Sequence, residues 1–246
     1  MSLERIIFAS DLHGDLQDHD AVEALLEFTK EWKPHHRIFG GDLFDFRPLR
    51  RGASTEEKAE TIQYDLEAGL GFLSKWKPHY WLRGNHDERL WDFTNKAGLL
   101  GEFAQKGVSD LDHRCKKLKI KTLPYCKRKG VLEMGKLKML HGYFHGVNAA
   151  RQHGLVYGNC IFGHIHAVDL ASVPGLDKRQ ARAVGCLCRL DHPYNERLAS
   201  TLRHSHGWGY GVIDSKTGGF ELWQMQKDRD LGWIGLTKPC QLGQQP

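Results

Sequence analysis

Nine side chains of the kinds that hold cations or move protons recur here at short spacings. Asp11 and His13 are two apart, Asp42 and Asp45 three apart, and Asn85 and His86 adjacent. His141 stands before a glycine, and His164 and His166 are again two apart. This is a mixed carboxylate, imidazole and amide set. Oxygen and nitrogen donors of this kind suit manganese, iron, zinc or nickel better than a soft thiolate site does. The set exceeds what one ion needs. Two ions sharing a carboxylate, about 3.5–4 Å apart, would use it, and such a pair activates water and stabilises the attacking and leaving oxygens at phosphorus.

The surrounding sequence predicts elements that bring these groups together. Ile6 to Ala9 is a short apolar run that ends just before Asp11. Val22, Leu25, Leu26 and Trp32 follow helical spacing up to Lys33-Pro34, where a residue before proline resists the helical region. Arg37 to Gly40 reads as a second strand, and Ser54 with Glu57 as a capping box. The helix it opens should run through Ile62, Leu66, Leu70 and Leu73 to Trp76, with a third strand over His79 to Leu82. Strand, helix, strand, helix, strand implies a parallel sheet with polar groups at the carboxyl ends of its strands. In the second half, Val131-Leu132 and Leu137 to Leu140 read as a hairpin, and Val147 to Gln152 as a helix. Cys160 to Phe162, Val168 to Val173, Ala181 to Cys188, Tyr210 to Asp214 and Phe220 to Met225 read as strands. With no internal repeat and no low-complexity linker, residues 1–246 are expected to form one domain of two packed sheets, with a basic insertion or hairpin around 110–140.

Composition excludes several classes. A chain of 246 residues, 40% hydrophobic and 26% charged, is too apolar for a disordered segment and long enough for a sizeable core. Apolar runs stay far short of a membrane span, so no membrane partner is expected. Glu4, Arg5 and Asp11 interrupt the first apolar stretch, so no secretory leader is expected. The six cysteines, Cys115, Cys126, Cys160, Cys186, Cys188 and Cys240, are too sparse for a disulfide scaffold. They read as reduced thiols, which points to the cytoplasm.

The ordered series Asp11-Leu12-His13-Gly14, Gly41-Asp42-Leu43-Phe44-Asp45, Gly84-Asn85-His86-Asp87, His141-Gly142 and Gly163-His164-Ile165-His166 resembles the calcineurin-like metallophosphoesterases. All five motifs of that family are present in order, so the catalytically silent members, which lack motif residues, are a poorer match. The resemblance implies a four-layer α/β/β/α sandwich of two mixed sheets. It implies that Asp11, His13 and His166 hold one divalent metal, that Asn85, His141 and His164 hold a second, and that Asp42 bridges them opposite a shared hydroxide. His86 would face the substrate and protonate the leaving oxygen, and Asp45 would orient its ring. Manganese is the foremost metal, with iron, nickel and zinc as alternatives.

The resemblance implies a phosphoester substrate without fixing its class. Asp45 is followed by Phe46-Arg47 where the protein Ser/Thr phosphatases have Arg-Gly, and Asp87 replaces their glutamate. His86 stands where a UDP-sugar-lipid hydrolase subgroup carries arginine. The chain is more similar to small bacterial and phage members. Charge adds a clue. Between Arg114 and Lys138 there are ten Lys or Arg residues against Glu133 alone, so this segment carries more than the whole net charge of +5. It is either a solvated hairpin face or an anion-facing patch. The second reading points to a phosphodiester in DNA, RNA or a nucleotide, the alternative being a phosphomonoester of a small soluble compound.

Arg47, Arg50, Arg51 and Arg83 lie near motif loops and are candidates for phosphate contacts. His145 is a candidate for the site mouth. The loop carrying His204 and His206 is either ordinary or a lid. His19, His35, His36, His79, His113 and His192 read as structural or surface groups, and Cys186 and Cys188 as core packing on one strand.

Overall fold

Ile6 and Phe8 of the first strand point to one face and Ile7 and Ala9 to the other, and all four are fully buried. A strand apolar on both faces must be covered on both. The computed structural model describes residues 3–175, 179–191 and 199–235. His192 and Cys240 lie outside them.

Strands β1 (Leu3–Ala9), β2 (His36–Phe39), β3 (Tyr80–Leu82) and β4 (Lys121–Leu123) run parallel. Their connections contain the helices α1 (His19–Trp32), α2 (Thr55–Ala59), α3 (Gln63–Trp76), α4 (Glu88–Phe93) and α5 (Leu99–Lys117). A second, five-stranded sheet follows, built from β5 (Leu132–Met134), β6 (Leu137–Leu140), β7 (Cys160–Phe162), β8 (Val168–Val173) and β9 (Arg179–Val184), with α6 (Ala149–Tyr157) between β6 and β7. The chain then returns to the first sheet as β10 (Gly207–Asp214), β11 (Phe220–Asp228) and β12 (Gly232–Gly235), with β10 antiparallel to β1 and each later strand antiparallel to the one before it. The first sheet thus has seven strands in the order β12-β11-β10-β1-β2-β3-β4, and the second the order β5-β6-β7-β9-β8.

Three apolar layers explain the stacking. Ile7, Ala9, Phe39 and Trp81 pack outward against Leu25 of α1 and Phe72, Leu73 and Trp76 of α3. Ile6, Phe8, Ile38 and Leu82 pack inward against Leu137, Met139, Ile161 and Val184 of the second sheet. Leu140, Cys160, Phe162, Ala181 and Ala183 pack on the far side with Ala150 of α6. The result is the expected α/β/β/α sandwich of two mixed sheets.

Two sequence expectations are corrected. The single helix expected from Ser54 to Trp76 is two. The capping box forms, with Ser54 and Glu57 each accepting from the other's backbone nitrogen, but α2 stops at Ala59 and Glu60 is extended. No residue of α2 is buried, so it has no apolar stripe to hold it to the sheet. The strand expected over Ala181 to Cys188 ends at Val184, because Gly185 turns to φ +80°. Cys186 and Cys188 then make isolated bridges to His206 and Gln17.

Candidate metal centre

The carboxyl ends of β1, β2 and β3 in one sheet and β6 and β7 in the other converge on one place. There the loops are tied by their own backbone. Leu12 and His13 both donate to the Asp42 carbonyl (2.9 and 3.0 Å), and Asp11 donates to Gly41 (2.9 Å). The His164 nitrogen donates to both oxygens of Asp11 (3.1 and 2.9 Å), and the His86 nitrogen to Asp42 Oδ1 (2.8 Å). Asp11, His13, Asp42, His164 and His166 all take positive φ, between 50° and 69°. Such angles are uncommon outside glycine and cost energy that the surrounding contacts must hold in place. Gly84 allows the loops after β2 and β3 to meet, since a Cβ there would strike the Asp42 backbone nitrogen.

These constraints aim the side chains at one another. Asp11 Oδ1 lies 3.3 Å from His166 Nε2, which is 3.1 Å from His13 Nε2. His141 Nε2 lies 3.0 Å from Asn85 Oδ1 and 3.2 Å from His164 Nδ1. Asp42 Oδ2 sits between the two groups, 3.8 Å from His13 Nε2 and 3.3 Å from His141 Nε2. His86 Nε2 is 3.9 Å from the same oxygen.

The donor chemistry fits cations. His141 Nδ1 faces the Gly40 carbonyl at 2.8 Å and must carry its proton. Nε2 of a neutral ring is then an acceptor pointing at Asn85 Oδ1, another acceptor. Either a shared cation or a second proton on the ring resolves that pairing. Asp11, Asp42 and Asp45 are moreover buried carboxylates, at 0%, 2% and 5% exposure. Such a cluster calls for positive charge. In the absence of cations, imidazoles supply it. Burial opposes charging His141, but the charge of Asp42 outweighs it and holds the ring up at about 9. Burial likewise opposes charging His13 and His166, but their hydrogen bonds to Asp45 and Asp11 and nearby anionic groups raise both to about 10. Burial and the neighbouring His141 push His164 down to about 3.

His86 and Asp45 stand beside this cluster. Asp45 Oδ1 accepts from His86 Nδ1 at 2.5 Å. Asp45 is itself held by groups that sequence spacing does not connect to it. Asp65, on α3, accepts from the backbone nitrogens of Asp45 and Phe46 (3.0 and 2.7 Å). Burial, only partly opposed by those N–H groups, pushes Asp65 up to about 6. Arg89 donates to the Asp45 carbonyl at 2.6 Å. Asp87 accepts from the backbone of Phe44 and Gly84 (3.0 and 2.8 Å), joining the second and third motif loops.

A cavity of about 620 Å³ opens over the cluster and is lined by His13, Asp42, Asn85, His86, His164 and His166 together with neighbouring side chains. Arg47, Arg50 and Arg89 form part of its wall. Arg47 is engaged with Asp15 and Glu60 (2.8 Å each) and Asp45 (3.3 Å), and Arg50 with Glu57 (2.5 Å). Arg83 lies outside the lining, stacked 4.1 Å over Trp91 and facing Glu88, and Arg51 is also outside it. His145 reaches the site, with Nδ1 2.9 Å from His164 Nε2, and His204 lines the cavity. His206 is turned away and bonded to the Cys188 carbonyl (2.9 Å). Cys188 is more than core packing, because its Sγ lies 3.8 Å from His166 Nδ1.

A family model described as calcineurin-like phosphoesterase matches residues 4–168. The chain belongs to that family. Calcineurin-like phosphoesterases depend on divalent metals, and the convergent groups above are this member's candidate ligands. Similar solved structures include a metallophosphoesterase from Sphaerobacter thermophilus (15% identity, 90% of this chain and 87% of that one, TM-score 0.44). They also include the phosphoesterase Yfce from E. coli (15% identity, 95% and 100%, TM-score 0.41) and Chaetomium thermophilum Vps29 (14% identity, 96% and 98%, TM-score 0.47). A search of curated proteins finds no match. Among the described residues, no helix is long and apolar enough to cross a membrane.

Proposed function

We propose that this chain is a two-metal phosphodiesterase acting on nucleic acid or nucleotides. The observation that carries the reading is Asp42, whose one carboxylate oxygen faces both His13 and His141, in two donor groups that each combine residues from both sheets. Asp11, His13 and His166 would hold one divalent ion and Asn85, His141 and His164 the other, with Asp42 shared and manganese the foremost metal. Such a pair supplies an activated water and neutralises charge developing at phosphorus.

The protein groups do the rest. Asp45 accepts a hydrogen bond from the Nδ1–H of His86, which fixes the ring with Nε2 facing the cavity, where the imidazolium form would pass its Nε2 proton to the leaving oxygen. Arg89 and Asp65 fix Asp45 from its backbone side. The lean to nucleic acid rests on the uneven charge. Lys127 and Arg128 are exposed cations of the 114–138 segment. We take residues 1–246 as one domain, and place it in the cytoplasm because the five described cysteines are free thiols.

The test is a comparison of turnover on bis-p-nitrophenyl phosphate, p-nitrophenyl phosphate, cyclic nucleotides, and single- and double-stranded DNA, each with Mn, Ni, Mg or Zn. Preference for the diesters with Mn is expected. Preference for the monoester would assign the chain to small phosphate esters instead.

A further inference from the structure

A second cavity, of about 580 Å³, lies apart from the metal-ligand cluster and is in the size range of ligand sites. Lys127, Arg128 and Lys138 line it together with Tyr143, Phe144 and Tyr157. Lys138 faces Glu133 at 3.8 Å, whereas Lys127 and Arg128 have no carboxylate within ion-pair distance among the described residues.

The rings form a ladder that starts at the metal-ligand cluster. Tyr125 packs edge-on to His141, with centroids 5.8 Å apart, and its hydroxyl donates to the Gly142 carbonyl (3.1 Å). Tyr143 stacks on Tyr125 at 4.8 Å and 23°, and Tyr157 on Tyr143 at 6.2 Å and 29°. The Tyr157 hydroxyl donates to the Lys127 carbonyl (3.3 Å), tying the basic loop to this ring, which also lies parallel to His153 (6.3 Å, 24°). One stretch of chain therefore serves two places. His141 and His145 face the ligand cluster, while Tyr143 and Phe144 line the second cavity. Tyr143 is two residues from each histidine, so its Cα is at most about 7 Å from theirs.

Aromatic rings alone would suit any flat apolar ligand, and cations alone any anion. Rings and unpaired cations together, beside a stretch of chain that also bears two residues of the ligand cluster, suit a base that stacks and a phosphate that is neutralised. We propose that this cavity binds the nucleotide next to the scissile phosphodiester in a single-stranded nucleic acid, with its base on Tyr157 and its far phosphate on Lys127 and Arg128. The proposal rests on the nucleic-acid reading of the metal centre and names the part of the strand that the centre does not itself hold.

Binding of fluorescein-labelled dT12, and of the same strand with abasic sites, tests this by anisotropy on the His86→Ala protein supplied with Mn(II). Tyr157→Leu should weaken dT12 by about fivefold or more, the low end for one stacked base. It should weaken the abasic strand far less, and Tyr157→Phe, which keeps the ring and loses only the hydroxyl's bond to the Lys127 carbonyl, should bind dT12 more tightly than Tyr157→Leu. Lys127→Ala with Arg128→Ala, at two exposed positions, should weaken both strands and lower the slope of log affinity against log salt by about 1.4. Equal weakening of both strands by Tyr157→Leu, or no change in either, overturns the assignment. So does equal competition by oligoglutamate, which would give the cavity to acidic peptides. Failure of the wild-type chain to hydrolyse any diester would remove the catalytic reading while these binding results still decide the cavity. Diester hydrolysis with unaltered strand binding would remove the cavity proposal alone.

Discussion

His86 Nδ1 and Asp45 Oδ1 are 2.5 Å apart, in a pair whose outer member, His86, lines the cavity and whose inner member is almost fully buried. On the proposed reading this pair orients an imidazole, although with His13 it also forms a group whose donor atoms could hold a cation. His86→Ala and Asp45→Asn should each lower kcat on bis-p-nitrophenyl phosphate by about 10²–10⁴-fold, with bound metal unchanged by elemental analysis. Loss of metal in step with activity would instead make these residues ligands.

Asp65 supports that pair from α3. Asp65→Ala removes the acceptor of two buried backbone N–H groups, each of which costs about 1–3 kcal/mol when left unpaired. Stability in urea should fall by an amount in that range or somewhat above it, and kcat should fall with it because Asp45 loses its seat. Asp65→Asn keeps one acceptor oxygen and should lose less of both. A variant with full stability and full kcat would show that Arg89 alone suffices.

His153 sets a pH limit on the second sheet. It is fully buried, faces the Ala149 carbonyl through Nδ1 (2.8 Å) and accepts the Tyr143 N–H at Nε2 (2.9 Å), so its ring is neutral. Burial lowers it from the ordinary 6.5 to about 4. Its folded form therefore binds fewer protons than the unfolded form between those values, and stability falls as pH drops from about 6.5 to about 4. The loss is about 3 kcal/mol. Urea titrations at stepped pH should show this fall in the wild type and a flatter profile in His153→Gln. Parallel profiles would exonerate His153.

Cation removal should be felt by the whole fold. With Asp11, Asp42 and Asp45 buried together, chelation should lower the melting temperature and Mn(II) should restore it, each bound ion adding about 2.7 kcal/mol of stability when it is at a hundred times its Kd. Because His13, His141 and His166 hold protons until about 9 or 10 when no cation is bound, metal uptake should release protons and tighten as pH rises. Calorimetry in buffers of different ionisation enthalpy reads this directly. Uptake without proton release would mean that these rings are not the ligands.

Much of this molecule was legible because its chemistry is local. Asp11-x-His13 and His164-x-His166 are two-residue spacings at strand ends, and the strands before them are plain apolar runs. What stayed hidden depends on long-range contacts. Asp65 meets Asp45 across 20 residues and Arg89 across 44. Cys188 comes near His166 because Gly185 breaks the strand that the sequence pattern continues. Helix α5 carries no legible pattern for a different reason. Its buried positions are Gly101, Ala104, Leu111 and Cys115, while Leu99, Leu100 and Phe103 are exposed. Small residues face the core and large ones face water, so the apolar stripe is blurred.

The five-stranded sheet is drawn from one uninterrupted stretch, from Leu132 to Val184, entered from the edge strand β4 and left toward β10. His141, His164, His166, His145 and the aromatic ladder from Tyr143 onward all lie within it. Three of the seven proposed metal ligands and most of the second cavity's lining therefore travel together as a cassette. A single exchange of that stretch would replace three proposed ligands and most of the second cavity's lining while leaving Asp11, His13, Asp42, Asn85 and the His86–Asp45 pair with the first sheet.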